Sequence, residues 1–174
     1  MDLKGRIAIY NAFIASNFRY CDVIYHFSSK ESAYKLEKIN KRALRVTLND
    51  YQSDYSTLLE KIGSDTLFCQ RVKSIAIECF KSQNGLSPKF IQNLFETSYH
   101  GYSTRGGIKY FQPIVNSDTH GINSFTYQGA KIWNCLPCEI KESKSLDDFK
   151  NKLKSWTGPQ CSCASCVICK ISRL

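Results

Sequence analysis

Cations recur along residues 30–45: Lys30, Lys35, Lys38, Lys41, Arg42 and Arg45, set against only Glu31 and Glu37. Wound as an α-helix at about 100° per residue, they gather on one side, opposite Leu36, Ile39, Ala43 and Val46. A ridge of one sign on a helix anchored through its other face can neutralise successive phosphates and release their counterions. A second reading is open: a merely solvated polar face, as any surface helix has. The second chemical cluster is C-x-C-x2-C-x2-C, formed by Cys161, Cys163, Cys166 and Cys169. Thiolates so close together can wrap one tetrahedral zinc in a closed structural site, and the alternative is an unliganded thiol tail. Cys135 and Cys138 are a further pair that could donate if the tail folds back.

Other candidate chemistry reads as structural. Cys135-Leu136-Pro137-Cys138 has thioredoxin-like spacing but follows a helical stretch, where a redox motif should follow a strand and open a helix. Asp147-Asp148 is an adjacent carboxylate pair of the kind that holds magnesium in polymerases. Its place at a helix start, behind Ser145, makes it a cap instead. His26, His100 and His120 lie far apart, with no spaced acid or nucleophile.

These residues need elements to carry them. Apolar spacing predicts a helix over 3–16, with Leu3, Ile7, Tyr10, Phe13 and Ile14 facing a core. The aromatic run at 18–27 reads as a buried helical piece or turn. Ser28 with Glu31 makes a capping box opening the basic helix, which runs to about Val46. A short helix over 55–62 should stop at Gly63, and a longer one over 66–83 should bury Leu67, Val72, Ile75, Ala76 and Cys79. Ser87-Pro88 opens another, with Pro88 at the first helical position. Residues 108–115 read as a short edge strand interrupted by Pro113. Helical spacing returns at 124–134, and Ser145 with Asp148 opens a helix to Trp156.

The chain has 174 residues, a formal charge of +9, 43% hydrophobic and 22% charged residues, which excludes wholesale disorder. No apolar run is long enough to span a bilayer, and residues 1–10 do not read as a signal peptide, so an intracellular protein, cytoplasmic or nuclear, is expected. The excess of Lys and Arg favours an acidic partner. Nine cysteines without a secretory leader argue against a disulfide framework, and the scattered ones read as small buried hydrophobes. The expected fold is mainly α: a helical body over 1–95, a small irregular α+β segment over 96–157, and a Cys-rich tail over 158–174.

The order of these landmarks resembles a known family. YCDVIY (20–25) precedes the basic helix ending NKRALR (40–45), then LLEKI (58–62), NGLSP (84–88) and an isolated Arg105. SFTYQGAKIWNCLP (124–137) and FKNKLKSW (149–156) follow. The set is similar to the region downstream of the polymerase core in reverse transcriptases of non-LTR (LINE, jockey-like) retrotransposons. That resemblance implies a thumb-like body gripping template–primer duplex, and a Cys-rich end that touches nucleic acid. The palm motif Tyr/Phe-Ala-Asp-Asp and the endonuclease domain have no counterpart here. The resemblance therefore implies a non-catalytic fragment of an RNA-directed DNA polymerase. It would bind RNA or an RNA–DNA hybrid through phosphates at Lys35, Lys38, Lys41, Arg42 and Arg45, possessing no polymerase activity alone. The competing expectation is a small zinc-stabilised protein-interaction module without a nucleic-acid role.

Overall fold

The computed structural model describes residues 1–98, 109–117 and 121–156. Its helices are α1 (Leu3–Ile9), α2 (Ser16–Arg19), α3 (Asp22–Tyr25), α4 (Lys30–Leu48), α5 (Tyr55–Ile62), α6 (Leu67–Gln83), α7 (Lys89–Gln92), α8 (Phe125–Cys135), α9 (Cys138–Lys141) and α10 (Leu146–Lys154). The described residues are thus mainly α. They form two compact units, Met1–Arg71 and Val72–Leu174. The change of composition expected after residue 95 falls inside the second.

In the first unit, Asp2 caps α1 by accepting a hydrogen bond from the Gly5 N–H at 3.0 Å. A π-helical stretch, Tyr10–Ala15, joins α1 to α2. Its wider i→i+5 turn rotates every later side chain, which corrects the face read from α-helical spacing. Tyr10 and Ala15 point inward, whereas Phe13 is 72% exposed. The 18–27 stretch holds the end of α2 and all of α3, and it is not buried throughout, since Tyr20 and Ile24 are exposed.

Ser29, not Ser28, caps α4, accepting from Ser32 N–H at 3.2 Å, and Glu31 pairs with Lys35 instead of closing a box. Asn49 ends the helix in the left-handed conformation, with Asp50 N–H donating to Arg45 C=O. Gly63 at φ +63° ends α5 in the same way, where an L side chain would be strained. Tyr10, Ala15, Leu44, Leu58 and Leu59 make the core, lined by Ile14, Ala43, Leu48, Tyr55 and Ile62.

The second unit is built on aromatic stacking. Phe149 lies 4.3 Å from Phe80 and 6.3 Å from Trp133, ring centre to ring centre. Tyr110 continues the stack between Trp133 and Phe95. Ser124 caps α8 and Ser145 caps α10, each hydroxyl accepting from the N–H three residues on. Asp147 and Asp148 sit in the first turn of α10, and Asp148 pairs with Lys152 at 2.9 Å. Pro88 is the N-cap of a single-turn helix, one position earlier than expected.

The expected edge strand is reduced, among the described residues, to one antiparallel bridge between Thr97 and Tyr110. A side chain does the rest of the pairing: Asn134 Oδ1 accepts from Tyr110 N–H and its Nδ2 donates to Tyr110 C=O, both at 2.9 Å. This clamp assigns packing roles to the Gly-Ala-Trp-Asn-Leu-Pro series. Ala130, Trp133 and Leu136 are buried, and Gly129 leaves room for the Phe95 ring. Of the scattered cysteines only Cys79 is the buried hydrophobe expected; Cys21 and Cys135 are exposed, and Cys69 and Cys138 half-buried. Pro137 caps α9, so Cys135 and Cys138 fall at the end of one helix and the start of the next.

Candidate nucleic-acid interface

Part of what holds α4 in place is polar, and periodicity alone does not reveal it. Asn40 is fully buried, accepting from Tyr10 OH at 2.6 Å and donating to Tyr55 OH at 2.8 Å. Tyr55 OH in turn donates to Glu37 Oε2 at 2.6 Å. The Glu37 carboxylate also accepts from Leu67 N–H at 3.3 Å and Phe68 N–H at 2.8 Å, and so caps α6 from another helix. Burial and the neighbouring Glu37 charge push the Tyr55 phenol far above its ordinary pKa, keeping it a donor.

Because Glu37, Asn40, Leu44 and Thr47 face inward, the stripe read from sequence is turned. Ile39 and Val46, expected in the core, are 56% and 60% exposed and flank the cations. Satisfied polar groups can occupy core positions, which pattern reading assigns to apolar residues alone. Lys38, Lys41, Arg42 and Arg45 still share one side of α4, but Val46 lies beside them and not opposite.

Lys38, Lys41, Arg42 and Arg45 line one groove of 650 Å3 with Val46 and Tyr51. Lys35 stands apart, in an exposed pair with Glu31 at 2.8 Å. Lys38 lies 4.7 Å over the Tyr34 ring. Among the described residues no carboxylate pairs with Lys41, Arg42 or Arg45, and the buried Arg45 Nε has no hydrogen-bond partner. Unneutralised positive charge on a rigid helix, collected in one concavity, suits a polyanion.

Tyr51 was not singled out by the sequence. It sits in the loop after Asn49, whose shape depends on Asp50. The Asp50 carboxylate accepts from Gln52 N–H at 3.2 Å, Ser53 N–H at 3.0 Å and Ser53 OH at 2.6 Å, and pairs with Lys61. Those donors, Lys61 foremost, hold Asp50 well below the usual carboxylate range. The Asx signal at 49–50 marks the turn, but only folding brings its next residue beside the cations.

A second polar centre in this unit surrounds Arg71, which is 2% exposed and lies between the Tyr25 and Phe68 rings at 5.5 and 5.8 Å. His26 stacks on Phe68 at 5.5 Å. Burial first, then the Arg71 charge, lowers its pKa to about 4.

The zinc ligands expected at Cys161, Cys163, Cys166 and Cys169 lie outside the described residues, as do Arg105, His100 and His120. Among the described residues no group of three or more His, Cys, Asp or Glu is placed to hold a metal, and no helix is long and apolar enough to cross a membrane. No protein-family model, curated protein or solved structure matches the chain.

Proposed function

We propose that this chain is a non-catalytic nucleic-acid-binding module, of the kind that follows the polymerase core in non-LTR retrotransposon reverse transcriptases. It engages phosphates of RNA or an RNA–DNA hybrid, in the cytoplasm or nucleus. The observation that carries the reading is the groove of Lys38, Lys41, Arg42 and Arg45, with three of these cations unpaired by any described carboxylate. Lys35 contributes at the margin, its charge already shared with Glu31. Cys161, Cys163, Cys166 and Cys169 hold one structural zinc that orders the tail, its binding energy becoming folding energy.

Phosphate contacts of this type set register without reading bases, so little sequence preference is expected. If all four groove cations engage phosphates, the logarithm of affinity for duplex should fall with the logarithm of salt at a slope of about −3 to −4. Fluorescence anisotropy of a labelled RNA–DNA hybrid at several salt concentrations measures it. Binding that ignores salt, or survives Lys38→Glu, Arg42→Glu and Arg45→Glu combined, overturns the reading. A second reading, a protein-interaction module, draws on Tyr34, Ile39 and Val46, all exposed along the same helix. It gains if salt and charge reversal leave nucleic-acid binding unmoved.

A further inference from the structure

The groove holds more than a phosphate contact needs. Backbone recognition requires only cations on a ridge, yet here an exposed aromatic ring and an apolar wall share the cavity with them. Tyr51 is 58% exposed and lines the groove beside Arg45 and Val46. Its loop is not loosely attached: Asn49 closes α4 in the left-handed conformation, and Asp50 ties Gln52, Ser53 and Lys61 together around the tyrosine. A loop held in this way loses little further backbone freedom when a partner stacks on the aromatic ring it carries. The cavity of 650 Å3 falls in the range of sites that admit small organic groups.

Bases within a duplex keep their faces covered by neighbouring bases and cannot reach such a ring. An unpaired nucleotide can, because every base has a free π-face and stacking on an aromatic side chain tolerates sequence. We propose that the groove binds an unpaired segment of nucleic acid, one base stacked on Tyr51 and the flanking phosphates on Lys38, Arg42 and Arg45. This inference rests on the nucleic-acid reading of the same groove and adds strand state to it: the site distinguishes single-stranded from fully paired substrate. Asp50 acts as a positioning residue, holding Tyr51 in place without touching the nucleic acid.

The test is anisotropy with the full chain and two labelled probes, an oligouridylate and a blunt RNA–DNA hybrid of equal length, at two salt concentrations. Wild type should prefer the single strand. Tyr51→Ala should weaken oligouridylate binding about 5- to 140-fold while leaving the hybrid and the salt slope unchanged. Tyr51→Phe should retain binding, because the ring and not the hydroxyl is used. Asp50→Ala should reproduce part of the Tyr51→Ala loss, and a circular dichroism spectrum confirms that each variant is folded. An abasic version of the single strand should bind wild type as weakly as the intact one binds Tyr51→Ala. Equal effects of Tyr51→Ala on both probes, or no effect on either, overturn the stacking proposal while leaving the phosphate reading intact. Salt-independent binding, or indifference of both probes to charge reversal at Lys38, Arg42 and Arg45, brings down the underlying reading instead.

Discussion

Glu37→Ala removes the carboxylate on which α4, α5 and α6 converge. Three hydrogen bonds go with it: those from Leu67 N–H, Phe68 N–H and Tyr55 OH. Leu67 and Phe68 are 3% and 6% exposed, so water is poorly placed to replace the lost acceptor. A buried donor left without a partner costs about 1–3 kcal/mol, and loss of a helix cap about 0.5–2 kcal/mol. These overlap at the α6 terminus, because the two N–H groups are the ones being capped. Tyr55 OH keeps its bond from Asn40 Nδ2, so only its own proton loses a partner. The total comes to about 3 kcal/mol, a large share of a domain stability of about 5–15 kcal/mol. With a urea m-value of about 2 kcal/mol/M, the midpoint should fall by about 1.5 M. Both tryptophans, Trp133 and Trp156, belong to the second unit, so far-UV circular dichroism is the readout for the first. Glu37→Gln, which keeps one oxygen acceptor and the side-chain shape, should lose about half as much. Tyr55→Phe combined with Glu37→Ala should cost less than the sum of the two, since both break the same bond. A Glu37→Ala midpoint within about 0.25 M of wild type, at unchanged m, would refute the assignment of this carboxylate as the cap of α6.

Three further outcomes are expected. His26 is neutral when folded, with its pKa lowered from 6.5 to about 4, so the unfolded chain takes up this proton first. Stability from this site is therefore complete above about pH 6.5 and is lost as pH falls toward 4, by roughly 3 kcal/mol; His26→Phe should flatten urea midpoints across that window. Gly129→Ala would place a Cβ 2.7 Å from Phe95 Cε1 and 3.2 Å from Cys79 Sγ, and Tyr110 stacked on that ring with Phe125 edge-on to it limits how far it can yield. Overpacking of about 1–3 kcal/mol outweighs a helix-propensity gain of at most about 1 kcal/mol, so tryptophan-monitored unfolding should move to lower urea. Metal analysis of protein purified under reducing conditions should find about one zinc per chain, lost in the Cys163→Ser, Cys166→Ser double variant; zinc that persists points to Cys135 and Cys138.

The local signals determined where most helices start and stop. Gly63, Asn49, Ser124 and Ser145 act within a few residues of themselves, through a left-handed cap or a hydroxyl accepting a nearby N–H. Such chemistry is complete in the sequence, as is the placing of Lys38, Lys41, Arg42 and Arg45 on one side of α4. At the start of α4 the sequence reading was off by a residue: Ser28 suits an N-cap, but its neighbour Ser29 takes the role. Tertiary structure decided which face of α4 is buried. Glu37 and Asn40 can leave water only because Tyr10, Tyr55 and the first N–H groups of α6 supply partners from other helices. No window around residue 40 contains that information, so Ile39 and Val46 read as core although they lie outside it. The π-helical turn that sends Phe13 outward and Ala15 inward is equally invisible to a 3.6-residue period. Tyr51 joins the cations for the same kind of reason: a polar tie between Asp50 and Lys61, eleven residues apart, shapes the loop that carries it.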